Sequence, residues 1–278
     1  MLPTLRAWLG SSHPGPAFAV TIVTVVLSIA VGLEPWRVSL LGVAMLFDQL
    51  SVGFSNDWID ASRDRAVGRT DKPVARGDIP VGVIRWSAWI CAVLALALTL
   101  PLGPWALLAH GVALLSAWHY NAWLKNTPFS VLPFALSFGL LPSIVTLSLA
   151  SPTLPAWWAT GAGALLGVAA HFSNVLPDLD ADRATGVRGL PHRVGPRVSG
   201  VVIALSLAAA SALLLIGSPD MVHWLGLAAG ISIAIACVVL VLRGRVSRLL
   251  FRLIIAAALL DVVLLALSGH ALVVSYPR

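Results

Sequence analysis

The chain has 278 residues, of which 58% are hydrophobic and 11% charged, with a formal net charge of +6. A soluble domain carries about a quarter charged residues, so this composition excludes an ordinary water-soluble globule and points to a lipid bilayer as the solvent for most of the surface. The basic excess falls in short segments between apolar runs, where it reads as a topology and anion-binding signal, and no nucleic-acid partner is expected.

Taken in chain order, the apolar runs lie near 16–33, 38–56, 82–100, 104–124, 129–150, 155–176, 198–217, 221–242 and 249–273. Each suits one crossing of a bilayer by about 20 helical residues. The first is long enough to remain as a span rather than a cleaved leader. Lipid requires helices or a closed barrel, and runs this long and apolar read as helices. The expected fold is therefore all-α, a polytopic membrane protein with nine spans in one domain over 1–278. Connections at 34–37, 101–104, 151–155 and 218–220 are short, that at 243–248 is short and basic, and those at 57–81 and 178–197 are long and charged.

Basic-residue bias orients this layout. With a cytoplasmic N-terminus, 16 of the 18 Lys and Arg fall inside and only Arg37 and Arg278 outside. The reading is an inner-membrane protein with its N-terminus and both charged loops cytoplasmic and its C-terminus outside. Trp36, Trp105, Trp157, Trp158 and Trp224 near the outer boundaries fit an interfacial aromatic belt. Cys91 and Cys237 sit within apolar runs and read as packing residues.

The two charged segments share a pattern. Asn56, Asp60, Asp64, Arg65, Ala66 and Gly68 recur as Asn174, Asp178, Asp182, Arg183, Ala184 and Gly186, giving N-x3-D-x3-D-R-A-x-G twice, at 56–68 and 174–186. Matching motifs at matching depths suggest two related halves facing one cavity, a frequent way to build a site in membranes. Eight of the twelve acids fall within 57–78 and 178–182.

Spacing of four places Asn56, Asp60 and Asp64 on one helix face, and Asn174, Asp178 and Asp182 on another. Pro177 starts or kinks the second segment. Two bare carboxylate stripes would repel each other and any phosphate. A hard divalent cation resolves both conflicts, because magnesium binds one or two carboxylates and takes further oxygens from substrate phosphates. The candidate magnesium ligands are Asn56, Asp57, Asp60, Asp64, Asn174, Asp178 and Asp182. Arg63, Lys72, Arg76, Lys125, Arg183 and Arg188 are placed to hold diphosphate oxygens.

Asp48 lies inside the second apolar run, where an acid faces a cavity or a partner. It is a candidate for the pocket of a second substrate, as are Tyr120, His119 and His171; a histidine there would serve to deprotonate an acceptor. Asp261 in the last run has no motif company and is expected to pair with another helix. Trp58 and Trp118 lie near the charged mouth, as interface anchors or flanking a cation.

The combination Asn56-Asp57-x-x-Asp60-x-x-x-Asp64, Asp71-Lys72-Pro73-Val74-Ala75-Arg76-Gly77, Tyr120-Asn121-x-x-Leu124-Lys125 and Asp178-x-x-x-Asp182 resembles the UbiA superfamily of intramembrane prenyltransferases, from His13-Pro14 to about Gly195. The resemblance implies nine transmembrane helices around a central cavity. It implies magnesium-dependent ionisation of an allylic prenyl diphosphate and transfer of the prenyl group to an acceptor small molecule. Asn56, Asp60, Asp64, Asp178 and Asp182 would be the catalytic set. Acceptors in the family include aromatic acids, naphthoates, chlorophyllide, haem, glycerol ether lipids and phosphoribosyl diphosphate. The second motif is similar to that of quinone-pathway aromatic prenyltransferases, so a lipoquinone role is expected. The alternatives are a non-aromatic acceptor, terpene cyclisation or, more remotely, a cation-coupled transporter. Two departures bear on the acceptor: Gly189 stands where many members have threonine, and Pro128-Phe129-Ser130 stands where several have a glycine-containing stretch.

Overall fold

A computed structural model of the chain describes residues 2–179, 182, 186–243 and 248–273. It is all-helical. In order, the helices are α1 (Leu2–Gly10), α2 (Pro14–Ala30), α3 (Pro35–Ala66), α4 (Pro73–Arg76), α5 (Val81–Thr99), α6 (Pro104–Ala122), α7 (Leu132–Leu147), α8 (Trp157–Val175), α9 (Leu190–Gly217), α10 (Met221–Leu242) and α11 (Arg248–Leu267). Proline opens α2, α3, α4 and α6, where its missing N–H costs no hydrogen bond and its fixed φ favours the first turn.

Every apolar run of the sequence is matched by one long helix. Among the described residues, four helical stretches are individually long and apolar enough to cross a membrane: Pro35–Ala66, Val81–Leu102, Leu190–Gly217 and Met221–Val241. The pair Thr4–Gly10 and Pro14–Ala30, bent by 59°, makes a fifth if counted together. Two others fall short in length or apolarity. α7 has 16 residues, and α8 carries Gly, Thr, His, Ser and Asn among its apolar residues.

Two boundaries differ from the expectation, for physical reasons. The second apolar run ends at residue 56, but α3 continues as helix to Ala66. At about 1.5 Å per residue its 32 residues extend some 48 Å, beyond the ~30 Å of a hydrocarbon core. The charged motif is thus a helical extension and not a loop. α9 begins at Leu190, eight residues before the apolar run, and breaks at Gly195, whose φ of 79° precedes Pro196. Hydropathy marks where lipid begins, whereas the backbone hydrogen-bond ladder runs on into the polar layer.

Neighbouring helices pack in sequence, and the ring closes where α11 meets α2. α7 and α8 approach closely because Gly163 and Gly167 carry no Cβ. One added there would stand 2.5 Å from the Phe138 carbonyl oxygen and 2.3 Å from that of Phe134. The outward faces are apolar: Phe18, Ile22, Trp86, Ile90, Val93, Leu205 and Ile235 are exposed. Trp36, Trp105, Trp157 and Trp224 are also exposed near the first turns of their helices, whereas Trp158 is buried against Gly217 and does not belong to the outer belt. Cys91 and Cys237 are free and buried. Asp261 accepts a 2.5 Å hydrogen bond from Ser211 of α9, the interhelical partner its burial requires.

Candidate active site

A cavity of about 820 Å³ runs up the ring. Its polar end is walled by Asn56, Asp60, Arg63 and Asp64 of α3, by Arg69, Asp71 and Lys72 of the following segment, and by Lys125 after α6. Asn174 of α8, Asp182, and His192 of α9 line the same cavity. Its remaining wall is apolar, including Val20, Val23, Phe138, Leu141, Leu166 and Val262.

Burial forces each acid here to find a partner. Asp60 accepts from the Lys125 ammonium and from Arg63 at 2.8 Å. Lys72 Nζ lies 3.0 Å from Asp64 Oδ2, 3.1 Å from Asp57 Oδ1 and 3.2 Å from Asn56 Oδ1. Asn56 donates to Asn121 Oδ1 at 3.4 Å, and the Asn121 amide is pinned by Val52 O and Ser55 Oγ. Asp182 Oδ2 lies 3.2 Å from His192 Nε2. Arg69 grips Asp71 through two hydrogen bonds of 2.8 and 2.7 Å, which hold that carboxyl down at about 2.

The two lysines differ electrostatically. Burial disfavours the charge on both. For Lys72 the attraction of Asp57 and Asp64 outweighs it and the ammonium is held above its ordinary value. For Lys125 burial wins over Asp60, with Arg63 and Lys72 adding repulsion, and its value is lowered.

The donor set is hard oxygen throughout, which is the chemistry magnesium prefers. As they stand, the carboxylates are engaged by lysine and arginine. Among the described residues no group of three or more His, Cys, Asp or Glu is disposed to hold a metal ion. The residues fit the ion by type, and the ammonium groups occupy the positions next to them.

Not every residue expected at the site lines it. Asp57 is buried behind the wall, where it pairs with His13 and Lys72, both of which line the cavity. Asp48 likewise faces away, with His110 Nε2 3.3 Å distant, and it is the adjacent Gln49 that reaches the cavity, donating to Asp48 at 2.8 Å. Arg76 pairs with Asp78, and Arg188 is exposed. His119 is exposed and bonds Leu115 O. Trp58 and Trp118 pack on each other, 6.2 Å between ring centroids, and Trp118 donates to Ser51. Tyr120 and His171 do line the cavity, with rings 5.6 Å apart, and His171 Nε2 lies 3.0 Å from Ser130 Oγ. The Asp178 side chain and Arg183 lie outside the described residues. Sequence reasoning missed His13, Gln49, Asn121 and His192. Only His13 and Asn121 had a signal, since both stand in or beside the quoted motifs.

Comparison with known proteins agrees with this architecture. The family model of the UbiA prenyltransferase family matches residues 17–254. The bacteriochlorophyll synthase 33 kDa chain of Cereibacter sphaeroides is 33% identical over 207 residues, which is 68% of this chain and 66% of that protein. The homogentisate phytyltransferase of Synechocystis is 27% identical over 181 residues, 58% of this chain and 54% of the relative. The chain thus spans about half to two thirds of the length of these relatives. The structure of a UbiA homologue from Archaeoglobus fulgidus bound to GPP and Mg2+ superposes with a TM-score of 0.72 at 16% identity, covering 96% of this chain and 99% of that one. With a helical ring, an acid-walled cavity and a family match over most of its length, the chain belongs to the UbiA prenyltransferase family and has its membrane fold.

Proposed function

We propose that this protein transfers a prenyl group from an allylic prenyl diphosphate to an aromatic acceptor, with magnesium, in lipoquinone formation. The observation that carries the reading is the shared cavity: Asn56, Asp60 and Asp64 of the first motif and Asn174 and Asp182 of the second line it together with many apolar side chains. A diphosphate needs the polar residues and an isoprenoid tail the apolar ones. The relative from Archaeoglobus, which binds GPP and Mg2+, supports the same pairing of ligands.

In this reading Asn56, Asp60, Asp64, Asn174, Asp178 and Asp182 would hold magnesium, which would supply charge neutralisation for the departing diphosphate oxygens. Lys72, Lys125 and Arg63 hold the outer oxygens of the diphosphate, and Arg183 is a further candidate. The C1–O bond of the donor breaks with its electron pair leaving on the diphosphate. The acceptor supplies the pair for the new bond to C1 and loses a proton. Phe138, Leu141 and Leu166 keep the tail and the reacting carbon away from water. Tyr120 and His171 are the acceptor-side candidates on the cavity wall. The helices α2, α3 and α5–α11 would be the nine spans of one domain, with N-terminus and both motifs cytoplasmic, as the basic-residue bias indicates.

A second acceptor, a chlorophyllide-type tetrapyrrole, is favoured by the 33% identity to the bacteriochlorophyll synthase chain. Incubating the purified protein in lipid nanodiscs with one labelled prenyl diphosphate and both acceptor classes, then identifying products by mass spectrometry, separates the two. Prenylated aromatic product supports the leading reading, prenylated tetrapyrrole alone supports the second, and no product from either refutes both.

A further inference from the structure

The segment Ser11–His13 between α1 and α2 folds back onto α3 at one place. A Cβ on Gly53 would stand 2.3 Å from the Ser12 carbonyl oxygen, so the hook can lie there only because Gly53 has none. Gly53 precedes Asp57 by four residues, one turn on the same face. The hook thereby delivers His13 to Asp57, and His13 Nε2 lies 3.0 Å from Asp57 Oδ1. The end of α1, immediately before the hook, abuts the segment that carries Lys72, since a Cβ on Gly10 would stand 3.1 Å from the Pro73 ring.

The backbone of His13 is disfavoured. At φ 51° and ψ 60° it is the one non-glycine residue with positive φ among the described residues. A side chain in that region is uncommon, and such outliers persist where the surroundings over-determine them, often at functional sites.

The chemistry of the neighbours gives the outlier a purpose. An ammonium has three N–H donors, and those of Lys72 face three acceptors: Asn56 Oδ1, Asp64 Oδ2 and Asp57 Oδ1. Asn56 and Asp64 wall the cavity and are assigned above to the magnesium-diphosphate group. Asp57 is 1% exposed and does not line the cavity. Once Asn56 and Asp64 are engaged by the donor, Asp57 is the acceptor that still holds Lys72. Its Oδ1 is shared between Lys72 and His13, which both line the cavity, so the histidine fixes the carboxylate that anchors the lysine.

We propose that His13 is a positioning residue, which by fixing Asp57 keeps the Lys72 ammonium at the cavity rim for the diphosphate of the donor. This rests on the functional reading above. It reassigns Asp57, whose place in the motif suggested a metal ligand, as the anchor of a lysine.

Two variants separate side chain from backbone. His13→Gly removes the ring while easing the left-handed backbone, so it does not rely on a destabilised fold. His13→Gln restores an amide N–H near the Nε2 position. With purified protein in nanodiscs, His13→Gly should raise the KM for prenyl diphosphate about tenfold and leave kcat within about twofold, the signature of lost ground-state holding. His13→Gln should recover most of the loss. In protein without donor or magnesium, His13→Gly should speed hydrogen exchange over residues 69–78. Unchanged KM, or a raised KM with unchanged or slower exchange, would overturn the proposal. If the wild-type protein transfers no prenyl group, the functional reading fails while the exchange measurement still decides whether His13 anchors the Lys72 segment.

Discussion

Lys125, in the turn after α6, donates to Asp60 on α3, and both side chains are at least nine-tenths buried. The pair ties two helices together at the cavity, yet burial leaves the lysine charge less favoured than in water. Removing one partner of a buried pair costs about 3–5 kcal/mol when the other is left alone. Arg63 remains on Asp60 at 2.8 Å, so Lys125→Ala should cost less, about 2 kcal/mol, measured by thermal denaturation in detergent. Donor affinity should fall in the same variant.

Gly189 has an ordinary backbone, φ −64° and ψ 176°, which threonine adopts readily. What forbids threonine is space: a Cβ would stand 2.6 Å from Lys125 O and 2.9 Å from Ser130 Oγ. Ser130 in turn accepts from Leu190 N–H at 2.8 Å and lies beside His171. Overpacking of this kind costs about 1–3 kcal/mol. Gly189→Thr should lower the melting temperature accordingly although threonine is common there in the family, with Gly189→Ala falling between it and wild type.

The apolar wall should set donor length. Phe138 of α7 lines the cavity and packs over Gly167, where a Cβ would stand 2.9 Å from its own. Phe138→Ala lengthens the apolar space. A methylene or two of fit is worth ~1–3 kcal/mol of discrimination, so the ratio of kcat/KM for donors differing by one isoprene unit should move about tenfold toward the longer. Unchanged preference would place the tail elsewhere.

Asp220 caps α10, accepting from the His223 backbone N–H at 3.0 Å and from its ring at 2.8 Å. These hydrogen bonds hold its carboxyl below the ordinary 3.8. A depressed folded value means the stabilisation is complete above about 4 and is lost as pH falls through the folded value. Asp220→Asn, which still caps but does not titrate, should show a shallower decline of melting temperature on the acid side. The effect should be small, because the carboxylate is exposed.

Much of this was legible in the sequence. Apolar runs located every long helix, since lipid leaves hydropathy little freedom to mislead. Spacing of four put Asn56, Asp60 and Asp64 on one face, and α3 does carry them on one cavity wall. What could not be read is pairing between distant segments. Nothing local tells that Asp57 is buried behind the cavity wall in a pair with His13, that Gln49 and not Asp48 reaches the cavity, or that His192 meets Asp182. On a helix, adjacent residues point about 100° apart, so one position decides between cavity and packing, and only tertiary contacts make that decision. Trp158 failed as an interfacial residue for the same reason: its neighbour Trp157 faces outward and it faces Gly217.

The account depends most on the two acidic motifs gripping one diphosphate, and equilibrium binding of labelled geranyl diphosphate tests it directly. With magnesium present, Asp60→Ala and Asp182→Ala should each weaken binding at least about tenfold, as expected for loss of a charged contact, and chelation of magnesium should do the same to wild type. If Asp182→Ala binds the donor as wild type does while Asp60→Ala does not, the motifs do not share a ligand and the account is wrong.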